Sequence, residues 1–455
     1  MKFKKRHRKF STEKTHPLFI IYLKNKRMKL DRRNHPEFKN IEHINIPIPE
    51  RIELNNGIET FIINAGTQDV VKIDITFNAG GWYQEKPIIA TVVNEMLIEG
   101  TKEYTSQQIA EKLDFYGAFI HAQPTKDFGN VTLYTLKKYL PETILILEDI
   151  IKNPVFPEHE LNTYLNKRKQ QFQVELEKVS NVARREFNEQ LFGKSHPYGV
   201  KTKIEDYNCV SQKDIVQFHK THYQSNKCKI LLSGKIDKTV LALLEKHFGN
   251  EDWGFNATVE SAQFDIPHPV KMETYIEKKD VSQSAIRLGK ILIKNGHPDF
   301  HKLNIVNTIL GGYFGSRLMK TIREEKGYTY GINSVLVSLK NAGFLVILSE
   351  VGADVAKKAI QEILNEVKKL REEKVSVEEL DLVRNYMLGD LLRSFDGPFE
   401  ISSSFKNIID FGLEINYFNE AIDAIKNITP EEIIELANKY LHEDTLIRTI
   451  AGKYN

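Results

Sequence analysis

Val71, Ile73, Ile75 and Phe77 alternate with Lys72, Asp74, Thr76 and Asn78, a pattern that predicts a strand with one buried and one polar face. Arg51 to Asn64, interrupted by Asn55-Asn56-Gly57, reads as the hairpin before it. Pro87 suits the first turn of a helix running through Ile98, which Gly100 ends. Much later, Phe344 to Leu348 reads as a strand. Asp354 then reads as the cap of a helix whose Val355, Ala359, Ile360, Ile363, Leu364, Val367 and Leu370 form one apolar stripe. Stripes of this kind are core packing rather than cofactor-binding surfaces.

The pattern repeats. Val210-Ser-Gln-Lys-Asp-Ile-Val216 matches Ile428-Thr-Pro-Glu-Glu-Ile-Ile434, 218 residues on, and each opens a helix with a Ser/Thr-x-x-acid capping box. Both helices run into a short strand, ending at Lys235 and Lys453, again 218 apart. Glu160-Leu-Asn162 and Glu379-Leu-Asp381 are 219 apart, as are Asn166 and Asn385. One spacing held over such a distance predicts an α+β chain of two tandem homologous units, each a mostly antiparallel sheet packed with helices. The units are expected at 46–250 and 273–455. The linker at 251–272 is marked by Trp253-Gly254, Pro267 and Pro269 interrupting the periodicity.

Composition narrows the function classes. The 455 residues are 41% hydrophobic and 27% charged, as in a globular protein of several domains. Cys209 and Cys228 cannot build a disulfide framework, and no Cys-x-x-Cys suggests a structural metal. No apolar run approaches a membrane span, the longest near the start being Leu18 to Leu23. The formal charge is +3, yet residues 1–27 hold ten Lys/Arg against Glu13 alone. The remainder has 54 basic and 60 acidic residues, about −6, which is not the composition of a nucleic-acid binder. The basic segment, within 1–45, reads as a disordered tail and lead-in, ahead of a crude signal sequence or of translation starting at Met28. Few cysteines and no clear signal lean towards the cytoplasm.

Chemistry concentrates in two places. The second unit carries Leu310-Gly-Gly-Tyr-Phe-Gly-Ser-Arg-Leu318, then Ile322-Arg-Glu-Glu-Lys-Gly-Tyr-Thr-Tyr-Gly331. The glycines lack the following Lys-Ser/Thr of a phosphate loop, and Arg323 to Lys326 alone would be the solvated end of a helix stopped by Gly327. Position by position, however, this stretch resembles the pitrilysin/insulinase family of zinc metallopeptidases, and the resemblance covers most of the chain from about residue 50. It implies a half-clamshell of two such units. It also implies that Arg323 and Tyr330 match a family Arg/Tyr pair that contacts the peptide at the scissile carbonyl. A fixed guanidinium and a phenol can both donate to an oxygen that gains negative charge as water attacks.

The same resemblance locates the family's His-x-x-Glu-His motif in the first unit, ahead of Met96-Leu-Ile-Glu-Gly-Thr101. Histidines at i and i+4 share a helix face and can bind one zinc, with the Glu as base. Here the motif reads Thr91-Val-Val-Asn-Glu95: Thr91 and Glu95 replace both histidines, and Asn94 replaces the base. An amide cannot accept water's proton. The third ligand, a downstream Glu, has no fixed counterpart, although Glu175 and Glu177 fall near it. His219-x-x-His222 and His297-x-x-x-His301 read as surface histidines.

The resemblance and the broken motif together imply a non-catalytic subunit, with no metal or cofactor of its own, joined to a homologous subunit that bears the zinc motif. Arg323 and Tyr330 would hold an extended peptide opposite the partner's zinc. The rival readings are a pure scaffold, a peptide-binding pseudopeptidase with no part in hydrolysis, and an enzyme using Asn94 and Glu95 with other ligands.

Overall fold

A computed structural model describes residues 41, 43–254, 263–268 and 271–454. The basic tail, and most of the expected lead-in to residue 45, lie outside the described residues. The first unit contains β1 (Glu50–Glu53), β2 (Glu59–Asn64), β3 (Val70–Phe77), α1 (Ile89–Met96), α2 (Ser106–Tyr116), β4 (Phe119–Pro124), β5 (Gly129–Leu136), α3 (Leu140–Lys152), α4 (Glu158–Glu177), α5 (Val179–Phe192), α6 (Gln212–His222), β6 (Cys228–Gly234) and α7 (Lys238–Leu244). The second contains β7 (Glu273–Glu277), β8 (Gln283–Leu292), α8 (Phe300–Asn307), a π-helical segment (Met319–Glu325), β9 (Thr329–Ser338), β10 (Gly343–Gly352), α9 (Ala356–Glu372), α10 (Val377–Arg393), α11 (Pro398–Phe411), α12 (Tyr417–Asn427), α13 (Pro430–Tyr440) and β11 (Ile447–Gly452).

The sheets run β1-β2-β6-β3-β5-β4 and β7-β11-β8-β10-β9. Apart from β1, the orders coincide. The one parallel pair in each also coincides, β2 with β6 and β7 with β11, all other pairs being antiparallel. The tandem α+β architecture expected from the sequence is therefore present. Both capping boxes form: Ser211 with Asp214 opens α6, and Thr429 with Glu432 opens α13.

Each repeat lends a helix to the other. Helix α5 packs on β8 and β11 of the second sheet, where Phe187, Leu191 and Phe192 meet Val346 and Ile447. Helix α11, which starts 219 residues after α5, packs on β2 and β6 of the first sheet, where Ile401, Phe405 and Ile408 meet Phe61, Ile63 and Leu231.

This exchange corrects the reading of β3. Its Lys72, Asp74 and Thr76 are buried along with the apolar face, because α11 covers the side expected to meet water. Buried charge must be paired, and it is. Lys72 Nζ lies 2.8 Å from Asp74 Oδ2; Thr132 Oγ1 donates to Asp74 Oδ1 at 2.6 Å, and Ser402 Oγ of α11 donates to Oδ2 at 3.2 Å.

Smaller differences have local causes. Helix α1 starts at Ile89, two residues past Pro87, since Gln84 Oε1 accepts from the Ala90 amide and so fixes the first turn from upstream. Val355 is the N-cap of α9, with no side-chain cap bond, so Asp354 does not cap it. The apolar stripe of α9 is buried from Ala359 to Leu370 as expected. Trp253 is buried against Phe77 and Phe248, and its Nε1 donates to the Phe248 carbonyl.

Candidate functional site

Helix α1 buries Ile89, Val92, Val93 and Met96 in the first core, which leaves Thr91 and Glu95, one turn apart, on its half-exposed face. Ile88, just before it, holds φ at 68°, a left-handed conformation that strains a β-branched residue by about 1–3 kcal/mol. Asn94 points the other way and is fully buried. Its Nδ2 donates to the Tyr223 hydroxyl at 2.9 Å and to the Asn130 carbonyl at 3.3 Å, while its Oδ1 has no hydrogen-bond partner among the described residues.

Glu95 is held by α4. The Tyr164 hydroxyl donates to Oε2 at 2.7 Å, and Arg168 Nη2 lies 3.3 Å from Oε1. Burial and the adjacent Glu95 push the Tyr164 hydroxyl far above its ordinary pKa, so it stays a neutral donor. Burial pulls Arg168 down, but Tyr164 and Glu95 outweigh it and its pKa rises. Tyr164, Arg168, Phe172 and Glu175 are spaced along one face of α4 and line a cavity of about 230 Å³ that also takes in Thr91. Of the two candidate glutamates, both exposed, Glu175 borders the cavity and Glu177 pairs with Lys278 at 2.9 Å. The spacing along α4 was the signal that could have found this.

A zinc ion does not fit these residues. Thr91 offers a neutral hydroxyl, and the Asn94 amide is turned to Tyr223. Both Glu95 oxygens are engaged, and the Arg168 guanidinium already supplies the positive charge beside them. Among the described residues no group of three His, Cys, Asp or Glu is placed to hold a metal ion.

Arg323 lies on the π-helical segment, half-buried, its guanidinium carbon 4.6 Å from the centre of the Phe314 ring. Upstream, Arg317 anchors the segment by a two-pronged contact with Glu379 of α10, both bonds 2.8 Å. Gly327, at φ +65°, turns the chain into β9, the outer strand of its sheet. A bulge between Ser349 and Val351 of β10 interrupts the pairing there, held by Thr329 Oγ1 donating to the Glu350 carbonyl at 2.7 Å. Tyr330 projects from this irregularity with 91% of its surface exposed, and its hydroxyl has no hydrogen-bond partner among the described residues. It lines a second cavity, about 350 Å³, with Arg287, Asn333, Glu350 and Ser180 of α5. Arg323 does not line that cavity, so the pair flanks the Gly327 turn without sharing a pocket.

His219 and His222 are not surface residues. They complete the stripe Ile215, Phe218, His219, His222 of α6, an i, i+3, i+4, i+7 pattern that marks a buried face. His219 Nε2 is 2.8 Å from the Ile151 carbonyl, and burial lowers both histidines to about 4.

Residues 60–198 match the family model for the insulinase family (peptidase family M16), and 210–387 match that for the peptidase M16 inactive domain. Together they span well over half of the chain. It belongs to the M16 peptidase family. M16 relatives extend over nearly all of it. The uncharacterized zinc protease YmxG of Bacillus subtilis is 23% identical over 411 residues, covering 89% of this chain and 99% of that protein. The non-peptidase homolog YmxG of Helicobacter pylori is 25% identical over 377 residues, covering 79% and 84%. The solved M16 inactive domain from Pseudomonas fluorescens has the same fold, with a TM-score of 0.81 at 21% identity over 90% of this chain and 98% of that one. Within this M16 chain, no helix among the described residues is long and apolar enough to cross a membrane.

Proposed function

We propose that this chain is the non-catalytic subunit of a two-subunit zinc metallopeptidase, offering Arg323 and Tyr330 to a peptide whose scissile bond lies at a partner's zinc. The observation that carries this reading is the contrast between its two motifs. At the zinc-motif positions Asn94 is engaged by Tyr223, and Glu95 by Tyr164 and Arg168. At the other motif, Tyr330 stands in solvent at a sheet edge with its hydroxyl uncommitted. A phenol left free at a bulge costs the fold nothing and suits a donor that meets its acceptor only when substrate is bound. A homologous subunit with an intact His-x-x-Glu-His helix would supply the metal and the base, and the peptide would lie as an extended strand on its sheet edge.

The test is metal content and peptidase activity of the purified chain, alone and mixed with the zinc-motif relative from the same cell. Expected is a metal-free chain, silent alone, that raises the relative's activity. Arg323→Ala in the mixed complex should lower kcat/KM by about a hundredfold, the usual cost of one donor to a developing oxyanion. Full activity of that variant would favour a scaffold instead, and chelator-sensitive cleavage by the chain alone would overturn the reading.

A further inference from the structure

The cavity beside α1 and the cavity beside Tyr330 adjoin the same helix, α5, and the charged residues lining the first are mainly cations. Lys126, Arg168, Arg184, Arg185 and Lys201 border the first against a single acid, Glu175. Arg287 borders the second against Glu350. This contrasts with a chain that carries net negative charge beyond its first 27 residues.

Two of the six are already neutralised. Arg168 pairs with Glu95, and Lys201 with Glu186 at 2.8 Å and Glu189 at 3.0 Å. The other four have no ion-pair partner among the described residues. Arg184 donates only to Asn181 Oδ1 at 3.3 Å; Arg185 donates to the Thr202 carbonyl and lies over the Phe172 ring. The side chains of Lys126 and Arg287 make no hydrogen bond at all among the described residues. The Arg184 charge acts on all three: burial first, and that charge second, lowers the pKa of Lys126, Arg185 and Arg287 alike, the last to about 10. Scattered surface arginines are ordinary. Four unpaired cations from the β4–β5 turn, α5 and β8, Lys126 and Arg184 exposed and Arg185 and Arg287 half-buried, form a wall along the two cavities that flank α5; they repel one another, and a cleft concentrates that field.

Resting on the peptide-binding reading above, we infer that this wall is a subsite for acidic side chains. Asp or Glu carboxylates of a bound peptide sit on Arg184 and its neighbours Lys126, Arg185 and Arg287, between the abandoned zinc helix and Tyr330. The planar guanidinium fork matches a carboxylate, and successive carboxylates on one face of an extended peptide repeat at every second residue. The place where the family motif would gather a metal cation thus holds fixed cations that receive anions.

Two fluorescent peptides of equal length, one with alternate Glu and one with Gln at the same positions, are titrated into the purified full-length chain and followed by anisotropy. The acidic peptide is expected to bind about tenfold tighter or more, with the advantage shrinking as salt rises. Arg184→Gln with Arg287→Gln should bring it down to the level of the Gln peptide, while Lys374→Gln, at an exposed ion pair outside both cavities, should not. Circular dichroism of each variant checks that it is folded. Equal binding of both peptides would overturn the inference and leave the peptide-binding reading standing; binding of neither would also overturn the inference, while the peptide-binding reading stands or falls on the activity of the mixed complex. Loss of acidic-peptide binding on adding millimolar inorganic phosphate at matched ionic strength would assign the wall to phosphate and overturn the carboxylate inference.

Discussion

Asn94 is one methylene shorter than the family's catalytic glutamate and lacks its proton acceptor, and its amide is held by Tyr223 and the Asn130 carbonyl. Its side chain packs so near Gly129 that a Cβ there would lie 3.2 Å from Nδ2. A glutamate at 94 would add a methylene and a charge to a fully buried site, and a histidine at 95 would face Arg168. Restoring the motif as Thr91→His, Asn94→Glu, Glu95→His should therefore leave zinc well below one per chain after dialysis, and adding Arg168→Ala should raise it. One tightly held zinc in the triple variant with Arg168 intact would refute this. His219 and His222 make a prediction of the opposite kind, about protons. Their folded pKa values are depressed from 6.5 to about 4, so the unfolded chain takes up protons first as the pH falls. The stability they contribute is complete above about pH 6.5, is lost between there and about pH 4, and is flat below, at roughly 3 kcal/mol each. Urea midpoints of the native chain should fall across that window more steeply than those of a His219→Gln, His222→Gln variant; parallel slopes would contradict the burial argument.

Strand β3 and helix α11 show where sequence periodicity stops being informative. Alternation in β3 correctly gave a strand, but period-two patterning looks the same whether the polar face meets water or a helix from 330 residues away, such as the one that carries Ser402. The cover could be inferred only from contacts between repeats. The 218–219 spacing, by contrast, was legible, because capping boxes and strand motifs are local signals that each repeat keeps. The buried Lys72–Asp74 pair now gives a clean test. Lys72→Met alone should cost about 3–5 kcal/mol, since it strands the Asp74 carboxylate beneath α11, whereas Lys72→Met with Asp74→Leu should cost much less. Denaturant titration of the two single variants and the double gives the coupling directly, and additive losses would mean that the pair does not act as a unit. The site divides in the same way. Thr91, Asn94, Glu95, Arg323 and Tyr330 were nominated through the resemblance to the family's motifs. The partners that engage the zinc-motif positions, Tyr164, Arg168 and Tyr223, lie tens to more than a hundred residues from them and carry no motif of their own.

At the scale of the whole molecule, the reciprocal loan of α5 and α11 makes the two repeats one folding unit. Cutting between them would uncover Phe61, Ile63 and Leu231 on one side and Ile401, Phe405 and Ile408 on the other. At about 1.5–3 kcal/mol for each large apolar side chain, that single face accounts for roughly 10 kcal/mol, as much as a typical domain's entire stability. The burial of Phe187, Leu191 and Phe192 against the second sheet adds a comparable loss. Neither repeat should then fold alone, although each has its own sheet and its own tandem ancestry. Calorimetry of the full chain should give one transition with equal van't Hoff and calorimetric enthalpies. Separately expressed halves, divided within 251–272, should be molten or aggregated alone and recover a cooperative transition only when mixed. Two resolved transitions in the intact chain, or a half that unfolds cooperatively by itself, would show that the exchanged helices decorate the sheets rather than complete them. A single transition would also bear on function. It would mean that the wall bearing Arg184 and the edge strand bearing Tyr330, which come from different repeats, are held in fixed register by α5 itself, so that a peptide spanning both meets one rigid surface rather than two hinged ones.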